Sequence, residues 1–146
     1  ENYWNELFRV SKNQIVWGGN YMTNFLPPSR CFIVWDKMTY IPTMSQFEFA
    51  FCSFNKHPKM VKINSTAIDR QHPTQKPVAL LDRIVCASSN PEMVVLDPFC
   101  GSGTTGVASL MNGRKFIGID AEIDYLKNIA LPRLTDAELS FKSRIL

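Results

Sequence analysis

The stretch VVLDPFCGSGTTGVASLMNGRKFIGID, residues 94–120, decides how this chain of 146 residues folds. An apolar run over residues 93–96 ends in Asp97, and a second apolar run over residues 116–119 ends in Asp120. Between them lie a glycine-rich segment and apolar residues at helical spacing. The pattern predicts a strand, a loop, a helix and a second strand, with an acidic residue closing each strand. The carboxyl ends of such strands are where α/β proteins bind nucleotides.

The glycines of this loop also fit a dinucleotide-binding pattern. Gly101, Gly103 and Gly106 match G-x-G-x-x-G, and Asp120 follows at about the 20-residue spacing at which an acid holds ribose hydroxyls. Asp97 argues against a pyrophosphate here, because a carboxylate repels an anion and attracts a cationic ligand. A P-loop is excluded because no Lys-Ser or Lys-Thr pair directly follows the glycines.

S-adenosylmethionine suits both acids, since it carries sulfonium and ammonium cations beside a ribose. Asp97 would face its amino-acid end, directly or through water, and Asp120 would face its ribose. Two alternatives remain open. The first is an ordinary turn whose glycines serve tight packing, and the second is a nicotinamide-dependent oxidoreductase, supported only by G-x-G-x-x-G.

Three segments resemble the amino DNA methyltransferases, which methylate adenine N6 or cytosine N4. DPFCGSGTTG followed by FIGID, within residues 97–120, looks like their cofactor motif. HPTQKPVALLDRIV at residues 72–85 is similar to the segment that precedes this motif in the permuted subgroup, where the motif lies near the C-terminus. YWNELFRVSKNQIVWGGNYM at residues 3–22 resembles their middle region. The resemblance implies one domain over residues 1–146 with an α/β fold. This is a Rossmann-like S-adenosylmethionine-dependent methyltransferase sheet with helices on both faces, expected to lack its N-terminal strands.

The resemblance also implies which residues surround the cofactor. The glycine loop and the acid after the second strand would contact S-adenosylmethionine. The residues before the next predicted helix would border its methionine part, more through backbone than through side chains. The implied cofactor-binding residues are Asp97, Pro98, Phe99, Cys100, Gly101, Ser102, Gly103, Thr104, Asp120, His72, Thr74, Lys76 and Pro77. The alternative, from its residues alone, is that this segment is only a helix start with a capping threonine.

The catalytic tetrapeptide of this family does not occur in the chain. It consists of Asp, Asn or Ser, then Pro-Pro, then an aromatic residue that stacks on a base flipped from the duplex. LPPS at residues 26–29 has the prolines but neither an acceptor before them nor an aromatic after them. DPFC at residues 97–100 belongs to the cofactor loop. In the permuted subgroup the tetrapeptide comes shortly before the segment that residues 3–8 resemble, so we expect it upstream of Glu1.

The function implied by the resemblance is S-adenosylmethionine-dependent methylation of adenine N6 in double-stranded DNA. Adenine is favoured because residues 3–22 look more like the adenine enzymes. We expect the chain to be a fragment that is inactive alone, in part because it begins with Glu1 and not with Met. The alternatives are an N4-cytosine enzyme and a non-catalytic cofactor-binding or DNA-binding remnant, completed by an oligomer or a second chain.

Residues 55–76 show no regular periodicity and are rich in basic side chains. The pattern predicts an irregular basic loop that contacts DNA phosphates, which supply affinity without sequence information. The resemblance places a small target-recognition insertion here, and a solvated surface loop is the alternative. The candidate DNA-binding residues are Lys56, Lys59, Lys62 and Arg70.

Composition limits which other kinds of site and location are expected for this chain. The net charge of +3 permits nucleic-acid binding without demonstrating it. The four cysteines form no C-x-x-C pair and the two histidines fall into no ligand spacing, so we expect reduced thiols and no metal. No apolar run approaches membrane-spanning length and no signal peptide is visible. We expect a protein of the bacterial or phage-infected cytoplasm.

The rest of the chain predicts elements of both kinds. Helices are expected over residues 1–10, after Pro77, and from Ile123 to an end at Pro132. Strands are expected at residues 15–17, 31–35 and 47–54, with helices between some of them. By resemblance, a strand upstream of Glu1 separates the strand at 15–17 from the one at 93–96, so these two should not pair directly.

Overall fold

The computed structural model describes residues 2–65 and 75–145. The chain forms two compact units, Glu1–Thr66 and Ala67–Leu146. None of the described helices is both long and apolar enough to cross a membrane.

The N-terminal unit is a helix followed by a four-stranded sheet. Strand β3 is antiparallel to β1 and to β2, whereas β4 is parallel to β2, and the strand order is β1-β3-β2-β4. Strands β1, β2 and β4 therefore run in the same direction. The elements are α1 (Asn2–Val10), β1 (Ile15–Trp17), a 3-10 turn (Gly19–Tyr21), β2 (Cys31–Asp36), β3 (Phe47–Cys52) and β4 (Lys59–Lys62).

Aromatic and small apolar residues of β2 and β3 form the core of this unit. Ala50, Phe51 and Cys52 are buried because β3 has neighbours on both sides. Trp35 of β2 is also buried, and its indole Nε1 donates a hydrogen bond of 2.8 Å to the carbonyl oxygen of Ile63. This bond satisfies the polar end of the ring.

The C-terminal unit contains the predicted strand, loop, helix and strand. Strands β5 and β6 are parallel, and α3 connects them and contacts both α2 and α5. Gly113 has a φ of +72°, the left-handed conformation expected just after a helix end. The elements are α2 (Val78–Ser88), β5 (Val94–Asp97), α3 (Thr104–Met111), β6 (Lys115–Gly118), α4 (Ile123–Tyr125), a π-helical turn (Leu126–Ala130) and α5 (Leu131–Ile145).

The predicted α/β class is confirmed, and the predicted strands and helix starts agree with the structure to within two residues. The expected helices between strands of the N-terminal unit are present only in part: among residues 15–62, a short 3-10 turn lies between β1 and β2, whereas β2 and β3 form an antiparallel hairpin. Adjacent antiparallel strands need no helical crossover.

The irregular loop predicted over residues 55–76 is also wrong in part. Residues 59–62 form the edge strand β4, in register with residues 33–36 of β2. The sequence KMVK carries one partly buried position, because an edge strand with exposed faces needs no apolar alternation. Backbone pairing with β2 therefore decides the conformation. Arg70, His72 and Thr74 lie outside the described residues.

The helix end predicted at Pro132 is wrong. The π-helical turn leads directly into α5, and Pro132 is the second residue of that helix. The regular hydrogen-bond ladder is already interrupted in the π-helical turn, which lowers the cost of the missing proline N–H.

Among the described residues, β1 pairs only with β3, and β5 pairs only with β6. That β1 and β5 belong to one sheet, with a further strand between them, stays a prediction.

Candidate functional site

The two carboxyl-terminal strand ends of the C-terminal unit lie side by side. Parallel pairing sets Asp97, the last residue of β5, opposite Gly118, the last residue of β6. Beyond the strands, the Ile119 N–H donates to the Asp97 carbonyl and the Cys100 N–H donates to the Ile119 carbonyl, each at 2.9 Å. The loops that follow β5 and β6 are thus joined by backbone hydrogen bonds into one surface.

Asp120 holds this surface in shape. Its Oδ2 accepts a hydrogen bond of 2.7 Å from the backbone N–H of Gly101, and its Oδ1 accepts one of 3.0 Å from Glu122. A carboxylate offers about four acceptor positions. The half-buried Asp120 is therefore a structural element of this surface.

Asp97 brings a second carboxylate to the same loops. Its Oδ1 accepts a hydrogen bond of 3.1 Å from the Phe99 N–H, which orients the side chain over the turn that follows β5. Phe99 itself is 71 % exposed. Two carboxylates at adjoining strand ends favour a cation and disfavour a pyrophosphate.

The Cys100 thiol between the two acids is not a nucleophile. Burial raises the pKa of Cys100, and the negative charges of Asp97 and Asp120 raise it further. The thiol therefore stays protonated near neutral pH, and a protonated thiol is a poor nucleophile. Cys100 lines the site without supplying covalent chemistry.

The glycines of the loop have different roles. Gly101 and Gly103 have positive φ angles of 48° and 74°, which side-chain-bearing residues rarely adopt. At Gly106 a Cβ atom would lie 2.5 Å from Phe116 Cε1 and would also collide with Leu134. Tight packing therefore explains Gly106 fully, whereas the first two glycines shape the loop beside the carboxylates.

Two predicted cofactor residues have side chains that are engaged inside the unit. Ser102 and Thr104 are buried, and their hydroxyl oxygens lie 3.2 Å apart. Arg133 of α5 donates to the Ser102 carbonyl oxygen and, at 3.3 Å, to the Thr104 hydroxyl. A ligand would meet the backbone of these residues more readily than their side chains.

Arg133 is the residue that sequence reasoning missed. Burial lowers its pKa from the usual arginine value, which is the mark of a cation removed from water to bind carbonyl and hydroxyl oxygens. The predicted helix end at Pro132 left Arg133 outside any predicted element, although apolar residues such as Leu134 and Ala137 recur there at helical spacing.

The remaining predicted site residues that the structure describes lie at the start of α2 and in or just before β4. Pro77 is buried and stands at the N-cap of α2, where its carbonyl oxygen accepts hydrogen bonds from the Leu80 and Leu81 N–H groups. Lys76 precedes it and is half-buried. In the N-terminal unit, Lys59 and Lys62 lie at the two ends of β4, and Lys56 precedes the strand.

An apolar cavity of about 270 Å³ adjoins the site. Neither Asp97 nor Asp120 lines it, so the carboxylates mark a surface distinct from this cavity. Among the described residues no group of His, Cys, Asp and Glu side chains could hold a metal ion. The cavity is lined by Cys100, Phe116, Gly118, Leu126, Lys127, Ala130, Leu131 and Leu134.

Comparison with known proteins gives concordant matches. Residues 2–131 match the model of a family described as DNA methylase, the N6/N4 methyltransferase group. The chain is 62 % identical over 56 residues to the DNA adenine methyltransferase YhdJ of Escherichia coli, and 61 % identical over 64 residues to the type II methyltransferase M2.DpnII of Streptococcus pneumoniae. These matches cover 38 % and 44 % of this chain but only 19 % and 24 % of the relatives.

A solved structure extends the likeness to most of the chain. The crystal structure of M1.HpyAVI in complex with SAM superposes with a TM-score of 0.66 at 30 % sequence identity. The match covers 84 % of this chain and 74 % of that one. It agrees with the α/β methyltransferase sheet expected from the sequence.

Proposed function

Because this chain belongs to the DNA methylase family, as the match over residues 2–131 shows, we propose that it binds S-adenosylmethionine and takes part in the methylation of adenine N6 in double-stranded DNA. The proposed cofactor site is the surface formed by the loops after β5 and β6. The protein would act in the cytoplasm of a bacterial or phage-infected cell.

One observation carries the cofactor proposal. Asp120 and Asp97 stand at neighbouring carboxyl strand ends, and Asp120 is tied to the glycine loop through the Gly101 N–H at 2.7 Å. Asp120 would accept the ribose hydroxyls, as acids at this position do in nucleotide-binding sheets. Asp97 would lie towards the ammonium end of the ligand, where its negative charge is complementary.

The other cofactor residues would contribute mainly shape and backbone groups. Phe99 offers an exposed ring, and Gly101 and Gly103 let the backbone approach the ligand closely. Bound S-adenosylmethionine supplies an activated methyl group. The proposed set is Asp97, Pro98, Phe99, Cys100, Gly101, Ser102, Gly103, Thr104, Asp120, Lys76 and Pro77, with His72 and Thr74 from outside the described residues.

Adenine is the proposed target for two reasons. Residues 3–22 resemble the adenine enzymes more than the cytosine enzymes, and the relative YhdJ is named a DNA adenine methyltransferase. The chain itself contains no acceptor-Pro-Pro-aromatic tetrapeptide to hold the target amine. We propose Lys56, Lys59, Lys62 and Arg70 as contacts to DNA phosphates, which position a duplex without reading its sequence.

Calorimetry with two ligands tests the cofactor proposal without requiring activity. S-adenosylhomocysteine, the demethylated product, should bind the purified chain with one-to-one stoichiometry, and NADH should not bind. Binding of NADH in place of S-adenosylhomocysteine would instead support the oxidoreductase reading of G-x-G-x-x-G. Absence of binding by both ligands to a folded chain would leave the glycines with a packing role only and would overturn the proposal.

A further inference from the structure

Four basic residues lie at the starts of β2 and β4 or just before them. Arg30 directly precedes β2, and Lys59 is the first residue of β4 and pairs with Ile33 of β2. Lys56 and His57 come just before β4, and Nη2 of Arg30 lies 3.3 Å from Nδ1 of His57. We refer to Arg30, Lys56, His57 and Lys59 as the β4 basic cluster.

The four side chains of the β4 basic cluster are exposed, and the acids of residues 2–65 are engaged elsewhere. Glu6 binds Arg9 within α1. Asp36 lies at the other end of β2, and its Oδ1 accepts a hydrogen bond from the Met38 N–H. Glu48 forms an ion pair of 3.1 Å with Lys37 near the same end. Positive charge therefore dominates the end of the sheet where β2 and β4 begin.

The Arg30–His57 contact orients the guanidinium. Arginine has no acceptor atom, so Nδ1 of His57 must accept and the imidazole proton must lie on Nε2. This arrangement uses Nη2 of Arg30 on one side, while the planar guanidinium keeps donors on its other nitrogens for an oxyanion. Phosphate suits such a fork because it accepts two parallel hydrogen bonds.

The length of β4 separates this cluster from Lys62, another of the predicted DNA contacts. Lys62 lies three residues beyond Lys59, which is about 10 Å along an extended strand, and an odd spacing directs the two side chains to opposite faces. Lys62 belongs to the end of the sheet where β1, β2 and β4 terminate. The lysines that look like one basic run in the sequence are thus two separate groups.

We propose that the β4 basic cluster binds the phosphodiester backbone of DNA, as a contact distinct from Lys62. The inference rests on the proposed function and deepens it, because it adds Arg30 and His57 to the proposed phosphate contacts and separates Lys62 from them. Charge complementarity supports it, because each phosphate neutralised by a lysine or arginine releases condensed counterions. Arg30 and His57 enter the site although neither was a candidate from the sequence.

An edge strand offers a competing explanation for its lysines. Lysine on an exposed edge prevents sheets from pairing edge to edge, and β4 is paired only with β2 among the described residues. If Lys59 served only this purpose, its removal would change the association state and leave DNA binding intact.

The test measures how the affinity of the full chain for a fluorescein-labelled duplex depends on salt. The triple variant Arg30→Gln, Lys56→Gln, Lys59→Gln should lower the slope of log affinity against log salt by about three, close to one per lost phosphate contact. The control variant Lys12→Gln, Lys115→Gln, Lys142→Gln removes the same charge elsewhere and should leave the slope unchanged. Circular dichroism melts establish that both variants are folded.

Four results would overturn the proposal. The slope could stay unchanged in the cluster variant, or it could fall equally in the control, which would indicate a net-charge effect only. Size-exclusion chromatography could show that the cluster variant self-associates with an unaltered slope, as the edge-protection role requires. Finally, inorganic phosphate could saturate the His57 ring resonances in NMR while duplex DNA leaves them unmoved, which would indicate a site for free phosphate.

The outcome is separable from that of the cofactor proposal. A reduced salt slope together with no binding of S-adenosylhomocysteine would retain the β4 basic cluster and reject the cofactor site. Normal binding of S-adenosylhomocysteine with an unchanged slope would retain the cofactor site and reject the β4 basic cluster as a DNA contact. The variant Arg30→Lys separates charge from hydrogen-bond geometry. It keeps the positive charge and should keep most of the salt slope, but it should lower the affinity because the paired hydrogen bonds of the guanidinium are lost.

Discussion

Asp120 Oδ2 accepts a hydrogen bond of 2.7 Å from the backbone N–H of Gly101, which ties the end of β6 to the glycine loop that follows β5. The same carboxylate caps the Glu122 N–H at 3.0 Å. One side chain thus joins the end of β6 to the loop and to the residues that follow. This hydrogen bond gives the spacing between Gly101 and Asp120 a structural role that needs no ligand, although the same spacing matches the dinucleotide-binding pattern.

Replacing Asp120 by Ala should weaken binding of S-adenosylhomocysteine by about 1–3 kcal/mol, roughly 5- to 150-fold in Kd. The variant loses a charged hydrogen-bond acceptor and loosens the Gly101 contact. Calorimetry measures the change, with Asp136→Ala, an exposed acid of α5, as the control. Unchanged affinity in Asp120→Ala would count against its place in the site.

Replacing Arg133 by Ala should lower the free energy of unfolding by about 1–3 kcal/mol, because the buried Ser102 and Thr104 lose a partly buried donor to their carbonyl and hydroxyl oxygens. Urea denaturation measures the loss. Lys142→Ala removes a cation from the same helix but only an exposed ion pair with Glu138, so it should cost about 0.5 kcal/mol or less. Equal losses in the two variants would show that Arg133 does not support the loop.

Replacing Gly106 by Ala should destabilise the C-terminal unit by about 1–3 kcal/mol through overpacking. The new methyl group would lie 2.5 Å from Phe116 Cε1 and would collide with Leu134. Combining it with Leu134→Ala should give a loss smaller than the sum of the two single losses, since the collision is partly relieved. Additive losses in denaturant melts would contradict this packing.

The cysteines should differ sharply in reactivity. Cys86 is exposed, whereas Cys31, Cys52 and Cys100 are buried. A disulfide-exchange reagent at pH 8 should therefore modify one thiol rapidly in the native chain and the others only on unfolding. Cys86→Ser should abolish the rapid phase, and a rapid phase that persists in this variant would show that a buried thiol is accessible.

Stability should fall with rising pH in the alkaline range because of Cys52. Burial, followed by the neighbouring Cys31, raises the pKa of Cys52 from its ordinary value of 9.0 to about 12. Between these values the native state keeps a proton that the unfolded state has lost, so the free energy of unfolding decreases as pH rises from about 9 towards 12. Cys52→Ala should show a shallower decrease in urea titrations, and an identical pH dependence would refute this cause.

Local pattern was sufficient for the elements around the glycine loop. Two apolar runs, the intervening helical spacing and Gly113 predicted β5, α3 and β6, because each of these signals acts within a few residues of the chain. Asp97 and Asp120 could be predicted as cofactor-binding residues for the same reason, because the point where an apolar run stops marks the end of a strand.

Tertiary structure alone decided the roles of residues whose partners lie far along the chain. Strand β4 exists because β2 supplies its backbone partners, and Pro132 is tolerated because the π-helical turn before it has already interrupted the regular ladder. Arg133 reaches Ser102 across 31 residues, and Arg30 reaches His57 across 27. Periodicity and spacing describe a segment's own preference, whereas these contacts depend on which distant groups the fold leaves beside it.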